Sequence, residues 1–283
     1  MKSSTVSQID HASVDLGLSL RSDPSLTKKV KSNTALNKVA LEDRKFHDWY
    51  RFVLSFPPHL VREYLIDKFN LGPGATVLDP FCGTGTTVLE AKLNGLNSIG
   101  VEANKVAHLA GKVKVNWDID VDALISTAEQ VYERCQIKLA NEPVMRGITE
   151  EQEKLILKNS ICPLPLHKSL ILIEQSESAS DVDAVRDLLR VATAKTLVST
   201  ASNLHFGPEV GVRGRKADAP VFEEWIKTIR QMADDILSVK GKPSPSANVI
   251  LGDSRDISSY LVPNSIDAVF TSPPYPNEKD YTR

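Results

Sequence analysis

Two polar stretches of this sequence, "DPFCGTGTT" and "TSPPY", each follow an apolar run. The first has residue types that suit ligand binding. It begins at Asp79 and places Gly83 and Gly85 between a predicted strand and a predicted helix. Small residues at such a turn let a ligand approach the backbone and the start of the helix. Val88 stands where a dinucleotide fingerprint has its third glycine, so the pattern disfavours NAD.

An acidic residue, Glu102, ends the next predicted strand, "NSIGVE". In a nucleoside-binding βαβ unit, a carboxylate at this position accepts hydrogen bonds from both ribose hydroxyls more strongly than a neutral group would. The alternative is an ordinary solvated charge at the end of a strand. The glycine loop upstream favours the nucleoside interpretation.

The elements that must position these residues follow an α/β pattern. "ATVLD" and "NSIGVE" predict buried strands joined through the helix "TTVLEAKLNG", and "NVILGDSRD" and "SIDAVFTSPPY" predict two more strands that end in polar turns. Before them, apolar residues at helical spacing follow Pro57 and Pro58 and predict a helix closed by "GPG". Those apolar residues are Leu60, Val61, Leu65 and Phe69.

The chain divides by composition into four segments. Residues 1–40 are polar and predict a flexible tail. Residues 41–118 carry the glycine loop, residues 119–245 predict a helical insertion, and residues 246–283 carry the last two strands. Within the insertion, Thr149 and Gln152 have the spacing of a capping box.

Composition limits the function classes. The 283 residues have a net charge of -2 and no apolar run long enough for a membrane span or a secretory signal, so we expect a cytoplasmic protein without a membrane partner. The three cysteines are far apart, which predicts buried free thiols rather than disulfides or a metal site. The basic runs "LTKKVKSN", "GVRGRK" and "VEANKVAHLAGKVKVN" are treated as solvated faces.

"DPFCGTGTT" and "TSPPY" together resemble two motifs of the S-adenosylmethionine-dependent DNA methyltransferases that make N4-methylcytosine or N6-methyladenine. "RFVLSFPPHLV" is similar to the segment that precedes their glycine loop. The resemblance covers about residues 44–118 and 246–283 and implies a partial Rossmann-like class I methyltransferase sheet of about four strands with a helical insertion. It implies that S-adenosylmethionine is bound by nine residues, namely Phe56, Asp79, Pro80, Phe81, Gly83, Gly85, Thr86, Glu102 and Asp253.

The resemblance also assigns catalysis to the S-P-P-Y loop. Ser272 and the carbonyl of Pro273 would accept hydrogen bonds from the exocyclic amine, and the proline ring would stiffen the backbone that presents this carbonyl. Pro274 belongs to the same catalytic loop, and Tyr275 would stack on a base flipped out of the duplex. For Asp253 the assigned role is to accept from the cofactor's adenine amine. The alternatives are a Pro-Pro strand terminator, a surface tyrosine and a plain turn aspartate.

In the resemblance, serine at position 272 favours the N4 of cytosine as the target, with the N6 of adenine as the alternative. Related N-P-P-Y loops act on RNA or on protein amides, but serine in place of asparagine disfavours these substrates. We therefore expect double-stranded DNA as the partner and a role in restriction-modification.

The family sheet normally has seven strands, and this sequence predicts four. We expect a split or truncated enzyme in which a second polypeptide supplies the remaining strands and target recognition. The alternatives are an inactive fragment, a non-catalytic cofactor-binding subunit, or an insertion that covers the sheet edge. Arg213, Arg215 and Lys216 in "NLHFGPEVGVRGRK" are candidates for DNA phosphate contacts, and a solvated loop is the other reading of this stretch.

Overall fold

The computed structural model describes residues 39–51, 55–206 and 210–273. The predicted tail, residues 1–40, lies almost entirely outside these ranges. Six strands are present in the described ranges, namely β1 (Thr76–Asp79), β2 (Asn97–Glu102), β3 (Leu204–Phe206), β4 (Val210–Val212), β5 (Ala247–Leu251) and β6 (Ala268–Val269).

The α-helices of the same ranges lie before and between these strands, and five of them follow one another between β2 and β3. They are α1 (Pro58–Arg62), α2 (Thr86–Leu93), α3 (Lys105–Val115), α4 (Val121–Asn141), α5 (Glu150–Glu153), α6 (Pro163–Glu177), α7 (Asp183–Thr196) and α8 (Val221–Val239). Short 3-10 helices cover Glu42–Arg44, His47–Trp49 and Ser254–Ser259, and π-helical turns cover Glu63–Lys68 and Leu197–Ala201.

The main sheet has four parallel strands in the order β5-β2-β1-β6. Leu78 of β1 is in register with Ile99 of β2 and with Val269 of β6. Because parallel strands end at the same edge, the polar turns after all four strands meet there. The predicted α/β class and the four-stranded sheet are confirmed.

Helices α2 and α3 connect the central strands and pack on the sheet. Nearly every side chain of α2 is buried, because this helix also contacts α1 and α3. Helix α3 begins where the side chain of Asn104 accepts hydrogen bonds from the backbone N–H groups of Val106 and Ala107, an N-cap that satisfies two donors.

Residues 119–245 form mainly helices, as predicted. Helices α4, α6, α7 and α8 pack against one another around Trp225 and Leu188, both fully buried, and α7 also contacts α3. The capping box of Thr149 and Gln152 is present, although α5 has only four residues. The sequence did not predict α6, which begins at Pro163, or the antiparallel hairpin of β3 and β4.

The helix expected after Pro57 is present, but its last predicted core residue is not in the core. Val61 and Leu65 are buried, whereas Phe69 is 46% exposed. A π-helical turn from Glu63 to Lys68 accounts for the difference, because it widens the helix and rotates later side chains away from the face that packs on the sheet.

A strap formed by residues 42–51 lies against this unit. Phe46 and Trp49 are buried, and both donate to one carboxylate oxygen of Asp235 on α8, from the backbone N–H at 3.1 Å and from indole Nε1 at 2.8 Å. His47 is buried and pairs with Glu90 of α2 at 2.8 Å. The strap thus connects α2 with α8.

All three cysteines are buried free thiols, as predicted. Among the described residues, the helices are too short or too polar to cross a membrane.

Candidate active site

Four predicted site residues lie just beyond the carboxyl ends of the four sheet strands. Asp79 ends β1, Glu102 ends β2, Asp253 follows β5, and Ser272 follows β6. Backbone hydrogen bonds extend the pairing to this edge: Gly252 N–H donates to the carbonyl of Glu102 at 3.0 Å. The edge is where parallel α/β sheets bind ligands.

The two loop glycines have left-handed backbones but different surroundings. Gly85 has φ +90°, and a Cβ built there would lie 2.9 Å from the Cα of Gly111 on α3. Gly83 has φ +52°, and a Cβ there would meet nothing within 4 Å. Gly85 is therefore needed for packing, whereas Gly83 faces open space beside the loop.

Glu102 is fixed by the loop that it faces. Its Oε2 accepts from the backbone N–H of Gly83 at 2.8 Å, and its Oε1 accepts from the backbone N–H of Asn104 at 2.7 Å. Each carboxylate oxygen can accept a further hydrogen bond. The arrangement leaves Glu102 oriented and still able to accept from ligand hydroxyls.

Asp79 is fully buried and connects two loops rather than facing solvent. Its Oδ1 accepts from Phe81 N–H at 3.1 Å and from the Thr271 hydroxyl at 2.7 Å. Its Oδ2 and the hydroxyl of Thr87 are buried and lie outside ordinary hydrogen-bond geometry among the described residues. Burial raises the pKa of Asp79, and the hydroxyls of Thr87 and Thr271 oppose that rise.

Asp253 is a solvent-facing carboxylate held by its neighbour Arg255. The guanidinium donates to it at 2.6 Å and 3.0 Å, and these hydrogen bonds lower the pKa of Asp253 to about 2. Its Oδ1 also caps the 3-10 helix by accepting from the Arg255 N–H at 2.9 Å. The next residue, Ser254, donates to the carbonyl of Pro80, which joins this turn to the glycine loop.

The remaining predicted cofactor residues differ in exposure. Phe81 is 42% exposed at the start of the glycine loop, and Thr86 is buried at the start of α2. Phe56 is half-buried and packs against Phe270 with ring centroids 5.9 Å apart. This contact places the segment before α1 beside the strand that leads to the S-P-P-Y loop.

The S-P-P-Y loop is described only at its start. Ser272 is half-buried and Pro273 is exposed, whereas Pro274 and Tyr275 lie outside the described residues. Phe270 N–H donates to the carbonyl of Leu78 at 3.0 Å, so the β6 pairing continues to two residues before Ser272.

Arg213, Arg215 and Lys216 follow the β3–β4 hairpin, and all three are exposed. The Nζ of Lys216 donates to the carbonyl of Thr200 at 2.9 Å, which caps the π-helical turn after α7. Lys216 therefore has a structural contact within the insertion. Arg215 also interacts with the thiol of Cys162, and Asn203 and Arg215 together lower the pKa of that thiol.

Lys114 is an important residue that the sequence interpretation missed. It was treated as part of a solvated basic run, but its side chain is 1% exposed and lies beneath the glycine loop. A signal was present: Ala107, Ala110, Gly111 and Lys114 have the i, i+3, i+4, i+7 spacing of one buried helix face. The solvated-face expectation is wrong at this position.

The histidine, cysteine and acidic side chains of the described ranges form no group of three or more that would hold a metal ion. The candidate site consists of one glycine-rich loop, one proline-rich loop, three carboxylates and adjoining aromatic rings.

Comparisons with known proteins relate the sequence to DNA methylases. Residues 22–112 match the N6/N4 family described as DNA methylase. The type II methyltransferase M.BsoBI of Geobacillus stearothermophilus is 31% identical in an alignment of 266 residues that covers 86% of this chain and 52% of that protein. The type II methyltransferase M.MjaII of Methanocaldococcus jannaschii is 35% identical over 74 residues, 26% of this chain and 14% of that protein.

The matched region covers most of this chain but only about half the length of M.BsoBI. No solved structure gives a significant match to the chain.

Proposed function

Because this chain is related to the N6/N4 DNA methylases, we propose that it transfers a methyl group from S-adenosylmethionine to an exocyclic amino group of DNA. The observation that carries the proposal is the hydrogen bond between Thr271 and Asp79. This hydrogen bond joins the turn that contains Ser272 to the turn that contains the glycine loop. In the proposal, the Asp79 carboxylate therefore keeps the binding sites of the methyl donor and the methyl acceptor next to each other.

The residues at the sheet edge fit the proposed cofactor. Gly83 leaves open space beside the loop backbone, where a side chain would otherwise stand. Glu102 retains acceptor capacity for ribose hydroxyls, and Asp253 presents an ionised carboxylate suited to an adenine amine. Phe81 offers an exposed ring for packing on the purine. When bound, S-adenosylmethionine supplies a methyl group activated by a positively charged sulfur.

In the proposed reaction, Ser272 Oγ and the Pro273 carbonyl accept hydrogen bonds from the amino group of the base. These acceptors favour a tetrahedral nitrogen with a localised lone pair, which is a better nucleophile. Bound S-adenosylmethionine would supply the methyl group to this nitrogen and would be left as a neutral thioether, and the proton given up by the nitrogen would pass to solvent. Tyr275 is proposed to stack on the flipped base.

In this proposal, residues 41–118 and 246–283 form the methyltransferase domain, and residues 119–245 are an insertion that packs on α3 through α7. Arg213 and Arg215 are proposed to contact DNA phosphates from the insertion, whereas Lys216 is held by the carbonyl of Thr200. The protein then works inside the cell, where its DNA substrate is.

We also propose that a second polypeptide completes the enzyme by adding strands along β6. In the described sheet, β6 has a strand only on its β1 side, and its Val269 is 53% exposed. An unpaired parallel edge with an exposed apolar side chain favours association with another strand. The length of M.BsoBI, about twice the matched region, is consistent with further sequence beyond these elements.

Serine at position 272 supports the N4 of cytosine as the proposed target, by analogy with the resemblance drawn from the sequence. Adenine N6 is the competing target. The relation to type II methyltransferases supports a role within a restriction-modification system.

The test is transfer of labelled methyl from S-adenosylmethionine to mixed duplex DNA, by the chain alone and with the polypeptide encoded beside it, followed by nucleoside mass analysis. We expect N4-methylcytosine with the partner present and none with the Ser272→Ala variant. N6-methyladenine would overturn the target assignment. Transfer by the chain alone at full rate would overturn the proposal that a second polypeptide is required. Cofactor binding without transfer to DNA would support a non-catalytic subunit.

A further inference from the structure

The side chain of Lys114 connects the glycine loop to the strap. Its Nζ donates to the carbonyl of Thr84 at 2.9 Å and to the carbonyl of Tyr50 at 2.5 Å. The side chain is 1% exposed, so this hydrogen bonding takes place away from water. Buried amines are costly unless their donors are satisfied, which makes the geometry of both carbonyls matter.

One carbonyl belongs to the glycine loop, which is proposed to contact the cofactor, and the other belongs to the strap. Thr84 lies between Gly83 and Gly85, and its carbonyl accepts from the Nζ of Lys114, which is buried away from solvent. Tyr50 belongs to the strap, six residues before Phe56 along the chain. Fixing the Thr84 carbonyl fixes the peptide unit that it shares with the Gly85 N–H, which donates to the carbonyl of Cys82 at 2.8 Å and closes the turn of the glycine loop.

The surroundings of Lys114 disfavour its charge. Burial lowers the pKa of Lys114 to about 7, and the cations Arg51 and Lys195 add to the effect. Asp48 and Cys82 oppose it, and the buried His47 of the strap feels the Lys114 charge in turn. These surroundings favour loss of the ammonium proton at a lower pH than for an exposed lysine.

We propose that Lys114 is a positioning residue that sets the glycine loop for S-adenosylmethionine binding and makes that binding weaken as the amine loses its proton. The inference rests on the proposed function. The ammonium form has three donors and makes charge-assisted hydrogen bonds, whereas the neutral amine has two donors and holds the carbonyls less strongly. The loop is held best at acidic pH.

The experiment is calorimetric titration of the full chain with S-adenosylmethionine from pH 6 to pH 8.5. The variants are Lys114→Met, which keeps the stem without donors, Lys114→Arg, which keeps a permanent charge, and Lys112→Met as the matched control. Lys112 lies on the same helix but is half-exposed and pairs with Asp187 at 2.8 Å. The ligand's own amino group titrates in this range, and the control corrects for it.

We expect the Lys114→Met variant to bind about tenfold more weakly than the control at pH 6, as expected for loss of charge-assisted hydrogen bonds. Between pH 6 and pH 8.5, the affinity of the control should fall about threefold more than the affinity of the Lys114→Met variant. The Lys114→Arg variant should bind as tightly as the control at pH 6 and should not show this additional fall. Equal affinities and equal pH profiles for the control and the Lys114→Met variant would overturn the inference.

Two results separate this proposal from other failures. If the wild type binds no S-adenosylmethionine at any pH, the proposed function fails rather than the role of Lys114. If the Lys114→Met variant does not fold, the amide resonances of Thr84 and Gly85 in the wild type are followed by NMR. A shared transition near pH 7 supports the proposal, and its absence overturns it.

Discussion

Thr271 donates a hydrogen bond of 2.7 Å to Asp79, across the boundary between the neighbouring strands β6 and β1. Asp79 is the last residue before the glycine loop, and Thr271 is the last before Ser272. Because the acceptor is buried, the bond is shielded from water and resists bending of either turn. The relative position of the two loops is thus set by one carboxylate.

Removal of that hydroxyl should weaken both the fold and catalysis. A Thr271→Val variant leaves a buried carboxylate oxygen with only the Phe81 N–H as donor, so the free energy of unfolding should fall by about 1–3 kcal/mol. A misplaced S-P-P-Y loop should lower methyl transfer by about tenfold or more. Urea unfolding and methyl transfer measure the two effects. The Thr271→Ser variant keeps the hydroxyl and should approach the wild type; equal loss in both variants would contradict the assignment.

Much of this site was predictable because its residues follow local rules. Strands β1, β2, β5 and β6 appear as short apolar runs, and each ends in a polar turn, so their parallel pairing brings the turns together. The carboxylates Asp79 and Glu102 are in the predicted positions. Their roles toward a ligand remain predictions, as do those of the S-P-P-Y residues.

The features that were not predicted depend on contacts between distant parts of the chain. The burial of Lys114 requires carbonyls from Tyr50 and Thr84, and no short window contains all three. The strap is fixed by Asp235, far along the sequence on α8. Helix α6 starts with closely spaced prolines, which usually interrupt helices but are tolerated in the first turn.

The loop glycines should separate folding from ligand binding. A Gly85→Ala variant forces a Cβ to 2.9 Å from the Gly111 backbone at φ +90°, so the free energy of unfolding should fall by about 3 kcal/mol or more. A Gly83→Ala variant meets open space and should cost only about 1 kcal/mol, yet its methyl group occupies the proposed ligand position. Thermal unfolding and calorimetric titration with S-adenosylmethionine test the contrast. Undiminished cofactor binding by Gly83→Ala would place the ligand elsewhere.

Because Asp253 pairs with Arg255, substitutions of the two residues should have different effects on the affinity for S-adenosylmethionine. An Asp253→Asn variant loses the ionised acceptor for the adenine amine, and its affinity for S-adenosylmethionine should fall about tenfold. An Arg255→Ala variant leaves the carboxylate free to bind the ligand, so its affinity should equal or exceed that of the wild type. Calorimetry on both variants decides. Similar losses in the two would show that the pair acts as one structural unit.

The basic residues after the β3–β4 hairpin should differ in their effects on DNA binding. If Arg213 and Arg215 contact phosphates, replacement of either by alanine should reduce the slope of log affinity against log salt by about 0.9. Lys216→Ala should mainly lower stability, because its Nζ caps the turn at Thr200. Fluorescence anisotropy with duplex DNA at several salt concentrations gives the slopes. Unchanged slopes in both arginine variants would exclude them from the interface.

The protonation of Lys114 should act on stability and on ligand binding in opposite directions. The folded-state pKa of about 7 lies below the ordinary value of 10.5, so between these values the unfolded chain binds more protons than the folded chain. The free energy of unfolding should therefore rise with pH across this window, by at most about 1.4 kcal/mol per pH unit from this group. Cofactor binding should weaken as pH passes 7.

Urea unfolding of the wild type and of Lys114→Met at pH 6, 7.5 and 9 measures this contribution as the difference between the two proteins. Lys92, another lysine with a lowered pKa, contributes equally to both and cancels. A residue that only supported the fold would lose stability and ligand affinity together. A difference that stays constant with pH would mean that Lys114 is not buried as a titrating amine, and the positioning role would lose its physical basis.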